Sequence, residues 1–555
     1  MLFRSCIVLN DGFVAPPRKA AQAWFEPWSD KLHRSDEEEW CGWWNQHQGA
    51  GDQWYDEFYK GPNDFTYKSP ERKAISEFGE MEGCATPDNH SLMLHELADP
   101  KGTGIGNQPV NTSYDLEDHQ EIVAAYVKFL DKWGFRAAFP AVEKLWTSLG
   151  KKCYDTWQNY MENARISDEL DFAAISGWES TAIENHSGIV DNLRNFKSDP
   201  SPISATLLPV RPVAKQRAAC TALGEAATFD LYLLNDTDRA AMGTLTFSAV
   251  TPSGRLIKFA EFPAPEWKRD QFSYLVKEAF VTPKLTEEGM YKFKFAISSA
   301  PLATQTKEIW VAQASWPFLG GLPRLMGVSG LAPAVRRQLE RLGPAYLLDA
   351  HEFNPGDQYV RVIISSGLVA GVSGTQNSGD TTGLEAQPAG DTGPVNTTKQ
   401  VGHIDPAVLD AVRAGTSLLV IPQTDALSDG VAKQLAAAGA FTYSGAVGDV
   451  RAPWMGNWYF VRKHPVYDGL PVDQAMGIHY QARGQAANGL VIDRAPGGAE
   501  VEIVAAYSRD HSRVIGAGTF TTKLGAGKVL YHRVPEMQPV MQARFLANAL
   551  RWLTS

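Results

Sequence analysis

Through the first 200 residues, short apolar runs close on polar or glycine-rich turns, which is the rhythm of buried strands joined by longer excursions. Cys6-Ile-Val-Leu9 runs into Asn10-Asp-Gly12 and reads as a strand. A loop at 22–30 carries Trp24, Glu26, Trp28 and Asp30 together. Trp40 to Gln48 is too short and aromatic for an amphipathic helix, so it reads as a second strand whose end presents Asn45 and His47. A lone His in such a place is more often a hydrogen-bonded core residue than a catalytic one. The next run, Lys73 to Pro87, begins apolar and ends in Glu77, Glu80 and Glu82, with Gly79 and Gly83 allowing a sharp turn and Pro87 stopping the strand. Acids at the C-terminal end of a buried strand sit where a parallel barrel builds its site; a solvated acidic turn is the competing reading. From Leu116 the period becomes helical, with Ile122, Val123, Tyr126, Val127, Leu130 and Trp133 at spacings of three and four until Gly134. Two further helices are expected between Ala138 and Arg165, then a strand at 171–177 that leads into Trp178. Strands alternating with helices imply a parallel sheet with its working edge at the strand ends.

The texture changes near Ser201. Alternating runs such as Thr228 to Leu234, Gly243 to Ser248 and Tyr291 to Ile297, broken by turn residues, predict an antiparallel sandwich over 201–315. Residues 316–555 return to alternation, with strands near Tyr359–Ile364, Ser417–Ile421 and Lys528–Tyr531. Helices fit Ala332–Leu342, Pro406–Ala414, Ser428–Ala438 and Gln538–Leu553, a doubly wound α/β layout. Residues 371–398, rich in Gly, Ser, Thr and Asp without periodicity, predict a mobile loop. The expected organisation is three units: 1–200, 201–315 and 316–555.

Composition narrows the partners. A formal charge of −11 disfavours nucleic acid and anionic membrane surfaces, and neutral ligands fit better. No apolar run is long enough to span a bilayer. Of the 16 tryptophans, ten (24, 28, 40, 43, 44, 54, 133, 146, 157, 178) fall in the first 200 residues, and flat rings with one polar edge suit sugar faces as well as cores. Five cysteines without a repeated short spacing argue against a disulfide framework and a zinc site, and no cofactor fingerprint stands in usable context. A metal set drawn from His47, His90, His186 and Asp191 lacks ligand spacing, so no metal is expected. The N-terminus has too short an apolar stretch and no small-residue cleavage site for a signal peptide, which leaves localisation open.

The run Ile175 to Pro200, with Trp178-Glu179 and Glu184-Asn-His186-Ser-Gly-Ile-Val-Asp191, resembles the end of the catalytic barrel in a branch of glycoside hydrolase family 2. Gly79 to Pro87 is similar to that branch's nucleophile strand, and the sandwich to its immunoglobulin-like domain. Gly456 to Pro465 and Asp468 to Pro471 look like the class I glutamine amidotransferase-like modules of some relatives. The resemblance implies a retaining, exo-acting, β-galactosidase-like hydrolase that needs no cofactor, with Glu80 as nucleophile and Glu77 as runner-up. It implies Trp178 as the aromatic platform under the sugar, and relatives are often secreted or periplasmic. Asn45, His47, Trp24, Trp28 and His186 are candidate substrate contacts; Glu179 and Glu184 either contact sugar hydroxyls or cap the loop, and Arg194 with Asp199 is expected to form a structural ion pair.

Relatives carry the acid/base in an Asn-Glu pair after the fourth barrel strand. This sequence contains no Asn-Glu dipeptide and opens where a fifth strand is expected, so it reads as strands five to eight of a (β/α)8 barrel. Retaining hydrolysis uses two carboxyl groups, and general acid help is worth about 10² to 10⁴ in rate. The expectation is a fragment, or a subunit completed by the other barrel half from the same reading frame or a second chain, with little activity alone. The alternative is a non-catalytic carbohydrate-binding or assembly protein. An unrelated α/β hydrolase or amidotransferase is disfavoured by the absence of a nucleophile elbow and of any cysteine after Cys220.

Overall fold

The computed structural model describes residues 43–48, 75–81, 84–98, 115–167, 172–175, 178–180, 188–269, 271–314, 325–342, 346–349, 352, 359–368, 402–447, 456–480, 489–509, 512–534 and 537–555. The strand expected at Cys6, the tryptophan loop at 22–30 and the glycine-rich stretch 371–398 lie outside these residues. Within them the chain is mixed α/β, with several sheets and eight α-helices.

Three parallel strands come first: Trp43–Gln48 (β1), Ile75–Met81 (β2) and Phe172–Ile175 (β3), in the order β1-β2-β3. Between β2 and β3 lie helices His90–Ala98 (α1), Asp115–Lys132 (α2) and Val142–Ile166 (α3). α2 keeps the apolar spacing that begins at Leu116, and the chain turns away at Gly134, whose φ of 70° is the left-handed conformation glycine adopts without strain. α3 corrects an expectation. The two helices anticipated after Ala138 are one helix of 25 residues, preceded by a single tight turn at Phe135–Ala137. Gly150 is not a break in it: a Cβ there would stand 2.3 Å from the Lys197 carbonyl, so the glycine lets the segment bearing Lys197 lie against the helix.

After a short helix, Ser201–Thr206 (α4), eight strands follow: Val210–Gln216 (β4), Cys220–Ala222 (β5), Thr228–Asn235 (β6), Thr244–Val250 (β7), Leu256–Pro263 (β8), Ser273–Val281 (β9), Gly289–Ile297 (β10) and Gln305–Ala312 (β11). They form sheets β4-β6-β9 and β5-β11-β10-β7-β8, antiparallel except for the β5-β11 pair. Phe229, Leu231 and Leu233 of β6 meet Phe247, Phe293, Phe295 and Ile309 of the other sheet in one core, as inward alternation predicts.

The remaining strands, Leu325–Ser329 (β12), Tyr346–Asp349 (β13), Val362–Ser365 (β14), Ser417–Val420 (β15), Thr442–Ala446 (β16), Asn457–Val461 (β17), Gln474–Ala475 (β18), Leu490–Asp493 (β19), Glu502–Arg509 (β20), Gly516–Leu524 (β21) and Gly527–His532 (β22), build one large sheet. Its parallel half runs β13-β12-β14-β15-β22, a doubly wound order. The expectation of a purely doubly wound layout misses the other half, β21-β20-β17-β18, which is antiparallel. Helices Pro333–Arg341 (α5), Pro406–Ala414 (α6), Asp425–Ala437 (α7) and Pro539–Thr554 (α8) belong to this part. α7 starts three residues before the expected Ser428 because Thr424 caps it, its side chain accepting from the Leu427 N–H.

The helices that follow β2 also cover this sheet. Tyr126, Phe129 and Leu130 of α2 and Leu145, Trp146 and Leu149 of α3 share a core with Trp458, Phe460, Ile503 and Phe520. Trp458 Nε1 donates to Tyr126 Oη at 2.8 Å. The Phe460 ring stands 5.3 Å from Phe135, 5.9 Å from Phe139 and 6.0 Å from Phe129, each pair near edge-on, a geometry worth about 0.5–1.5 kcal/mol per pair beyond the buried area. On the opposite face, α5 and α8 pack with Cys220 and Ala312 of the sandwich, and Trp310 Nε1 donates to the Gly469 carbonyl at 3.1 Å.

Candidate functional site

The two candidate nucleophile positions lie on β2, the middle strand of the parallel trio. Glu77 pairs in register with Asn45 on one side and Phe172 on the other, and Glu80 pairs with His47. A bulge after Gln46 gives β2 one extra residue, so 77 and 80, of opposite parity in a regular strand, pair with the alternate positions 45 and 47. Glu80 is the penultimate residue of β2, and Trp178 follows the end of β3 at the same sheet edge, where Met81 pairs with Ile175. Trp178 is 52% exposed, which leaves a ring face available to a ligand. Trp24, Trp28, Glu184 and His186 lie outside the described residues.

Beneath this edge is a buried polar cluster that the sequence reading did not single out. The loop leaving β2 is buried from Cys84 to Asp88. Asp88 Oδ1 accepts from Lys197 Nζ at 2.8 Å and from Ser180 Oγ at 3.0 Å, and both charged side chains are at most 1% exposed. Burial pushes the Asp88 carboxyl above its ordinary range, while the Lys197 ammonium and the Ser180 hydroxyl pull it back. Lys197 Nζ also donates to the Thr86 carbonyl at 3.3 Å, and the Lys197 N–H donates to Tyr154 Oη on α3 at 2.9 Å. Tyr154 in turn donates to the Ile189 carbonyl at 2.5 Å.

His90 belongs to a different grouping from the metal set considered in the sequence. Its Nδ1 lies 2.8 Å from Nδ1 of His119, so one ring donates and the other accepts, and its edge meets Trp146 with centroids 5.4 Å apart. His119 continues the apolar stripe of α2, three residues before Ile122 and seven before Tyr126, and that spacing is the signal by which it was findable. Among the described residues no set of three His, Cys, Asp or Glu side chains is placed to hold a metal ion.

The segment after β3 is folded back on itself. Glu179 bridges Val190 and Val190 bridges Phe196. The Trp178 carbonyl accepts from Ile189 N–H at 3.0 Å and Val190 N–H at 3.1 Å. Asp191 Oδ1 holds the next turn by accepting from the Leu193 and Asn195 N–H groups at 2.9 and 2.8 Å. The expected Arg194–Asp199 pair does not form. Arg194 takes φ of 68° and points Nε at Glu179 Oε2, 3.4 Å away, with both side chains largely exposed, a contact worth about 0–1 kcal/mol. Asp199 instead accepts from the N–H of Ser201 at 3.0 Å, at the start of α4.

Cys84, Cys153 and Cys220 are buried. Burial pushes Cys153 up to about 11 and Cys220 up to about 12, so neither supplies a thiolate nucleophile at neutral pH.

No protein family and no curated protein sequence matches the chain. Solved structures overlap parts of it. A β-glucosidase from Listeria innocua in complex with glucose is 19% identical over 18% of this chain and 16% of that one, with a TM-score of 0.14. A β-glucuronidase from glycoside hydrolase family 2 is 15% identical over 49% of this chain and 22% of that one, with a TM-score of 0.17. The Pseudomonas fluorescens alkylpurine DNA glycosylase AlkC, bound to DNA containing an abasic site analog, is 10% identical over 20% and 33%, also with a TM-score of 0.14. The first two are weak structural neighbours from among the glycoside hydrolases. The chain spans only about a fifth of their length, and scores this low establish no common fold.

Proposed function

We propose that this chain contributes the nucleophile side of a retaining β-glycoside hydrolase site, with Glu80 attacking the anomeric carbon and Trp178 forming the platform under the sugar. The observation that carries the reading is the placement of Glu80 at the C-terminal end of the central parallel strand, with an exposed tryptophan just past the next strand at the same edge. Parallel barrels assemble their chemistry at that end. Asn45, His47, Glu179, Glu184 and His186 are the proposed sugar contacts, and Glu77 is the alternative nucleophile. In this reading the first 200 residues are half of a barrel, the sandwich is immunoglobulin-like and the C-terminal part is amidotransferase-like.

No Asn-Glu pair occurs in the 555 residues, and the proposal assigns the acid/base carboxyl to a barrel half outside them. A substrate whose leaving group needs no proton tests the nucleophile alone. With a dinitrophenyl β-glycoside, the Glu80 carboxylate forms an ester to the anomeric carbon as the bond to oxygen breaks, and the electron pair leaves with dinitrophenolate. We expect a burst of about one dinitrophenolate per chain followed by slow turnover, with the burst absent from Glu80→Gln. Nitrophenyl glycosides that do need a proton should react about 10² to 10⁴ more slowly than in a complete enzyme. No burst across a panel of hexosides refutes the reading. The exposure of Trp178 also suits a carbohydrate-binding protein without chemistry, for which saturable sugar binding persists unchanged in Glu80→Gln and no burst occurs with any substrate.

A further inference from the structure

The buried carboxylate beneath the strand ends has no part in that chemistry, yet it is the point at which the segments after β2 and β3 meet. We propose that Asp88 is a positioning residue that fixes the separation of Glu80 and Trp178; the inference rests on reading Glu80 as the nucleophile. On one side, Asp88 ends the buried loop that leaves β2, seven residues after Met81. On the other, it accepts the hydroxyl of Ser180, two residues beyond Trp178. The peptide between those two residues has little freedom. The Trp178 carbonyl takes two N–H donors from 189–190, and the Ser180 N–H donates to the Val190 carbonyl at 2.9 Å. Lys197 closes the circuit by joining the Asp88 carboxylate and the Thr86 carbonyl, while its own N–H is held by Tyr154 of α3. The links at Asp88, Ser180 and Lys197 are hydrogen bonds and an ion pair between buried side chains, where such contacts are strongest and most directional.

Side chains in the circuit face one another rather than the strand ends, so their role is exerted through the loops they join. A displacement of about 1 Å between an attacking group and the surface that holds its substrate costs on the order of 10²-fold in rate. Three variants test this. Ser180→Ala removes one hydrogen bond and leaves both charges paired. Asp88→Asn removes the acid. The double variant Asp88→Asn/Lys197→Met removes both charges, so that neither is stranded in the interior. Each is compared with the wild-type chain by the burst with dinitrophenyl β-glycoside and by the crystallographic distance between the Cα atoms of Glu80 and Trp178.

The expected result for Ser180→Ala and for the double variant is an unchanged burst amplitude per folded chain, a burst rate constant lower by about 10- to 100-fold, and a distance changed by about 1 Å. A purely structural role lowers the melting temperature and leaves the rate constant per folded chain as it was. Folded variants with the wild-type rate constant and the wild-type distance overturn the inference. A changed distance in a chain that gives no burst at all sustains the tie and refutes the nucleophile. An unchanged distance refutes the tie whatever the burst does.

Discussion

His532, at the end of β22, is buried under α8, its ring stacked on Phe545 with centroids 3.9 Å apart. Nδ1 lies 2.9 Å from Thr519 Oγ1, which lies 2.9 Å from the Tyr467 hydroxyl, and Nε2 has no hydrogen-bond partner among the described residues. Burial pushes this imidazole from 6.5 to about 3. The folded state therefore keeps it neutral while the unfolded chain protonates it, so stability falls as pH drops from 6.5 towards 3. At pH 5 the loss relative to neutral pH is about 2 kcal/mol from this group. Glu308 and Glu502, both held down to about 2 chiefly by the neighbouring His479 and His464 rings, act in a lower window: their contribution is present above 4.5 and is lost as pH falls through 4.5 towards 2. Urea unfolding at pH 7 and pH 5 separates the two windows, since His532→Phe should lose about 2 kcal/mol less than wild type between those values. Equal losses contradict the assignment. None of this was legible from single residues. His532 stands in an apolar run, which signals burial, but its partners come from β21 and from helices elsewhere in the chain.

The element that organises the molecule is α3. Its polar residues Gln158, Asn159 and Glu162 are buried. Glu162 Oε1 meets Arg211 Nη2 at 2.9 Å and Oε2 meets Lys307 Nζ at 2.7 Å, while Gln305 Nε2 donates to Oε2 at 2.5 Å and Lys307 donates to Asn159 at 2.6 Å. Burial raises the Glu162 carboxyl, but the two cations outweigh it and hold the group below its ordinary range. Glu162→Leu strands both cations and should cost about 3–5 kcal/mol. Lys433→Ala, which breaks an exposed pair with Asp429 at 2.6 Å, should cost about 0.3–0.5 kcal/mol. Equilibrium denaturation of the two variants checks the contrast, and a Glu162→Leu cost as small as that of Lys433→Ala rejects it. Periodicity alone located α2, α6 and α8 well, because each has one apolar stripe. The two helices expected between Ala138 and Arg165 are one, and Gly150, a residue that weakens a helix in sequence, is there for the close approach of Lys197.

At the scale of the whole molecule, strand–helix alternation anticipated a parallel sheet in the first 200 residues, and three of the four strands expected there lie among the described residues and pair in parallel; alternating apolar runs anticipated the antiparallel strands of 201–315, and strand–helix alternation the parallel strands of the C-terminal part. Hydrophobic pattern says that a helix has a face to bury and does not say against which sheet. That is why the packing of α2 and α3, which follow the strand carrying Glu80, against the antiparallel half of the last sheet was not legible. The consequence is energetic coupling. Phe460 packs against Phe129, Phe135 and Phe139, and Phe460→Ala should cost about 3–5 kcal/mol. α2 and α3 cover Trp458 and Phe460, and α3 also braces the Asp88 circuit through Tyr154, so residues 325–555 expressed alone should expose the Trp458 and Phe460 face, bind a hydrophobic dye and unfold without a cooperative transition. A native-like near-ultraviolet spectrum from that segment contradicts the shared core.

The measurement that bears most directly on the central claim is the mass of the peptide that carries a trapped sugar. Incubation with a fluorinated β-glycoside that forms a long-lived glycosyl ester, followed by digestion and tandem mass spectrometry, should place one hexosyl group on Glu80 and none on the Glu80→Gln chain. An ester on Glu77 moves the nucleophile three residues back along β2, and a chain that acquires no sugar from any member of a hexoside panel contradicts the account.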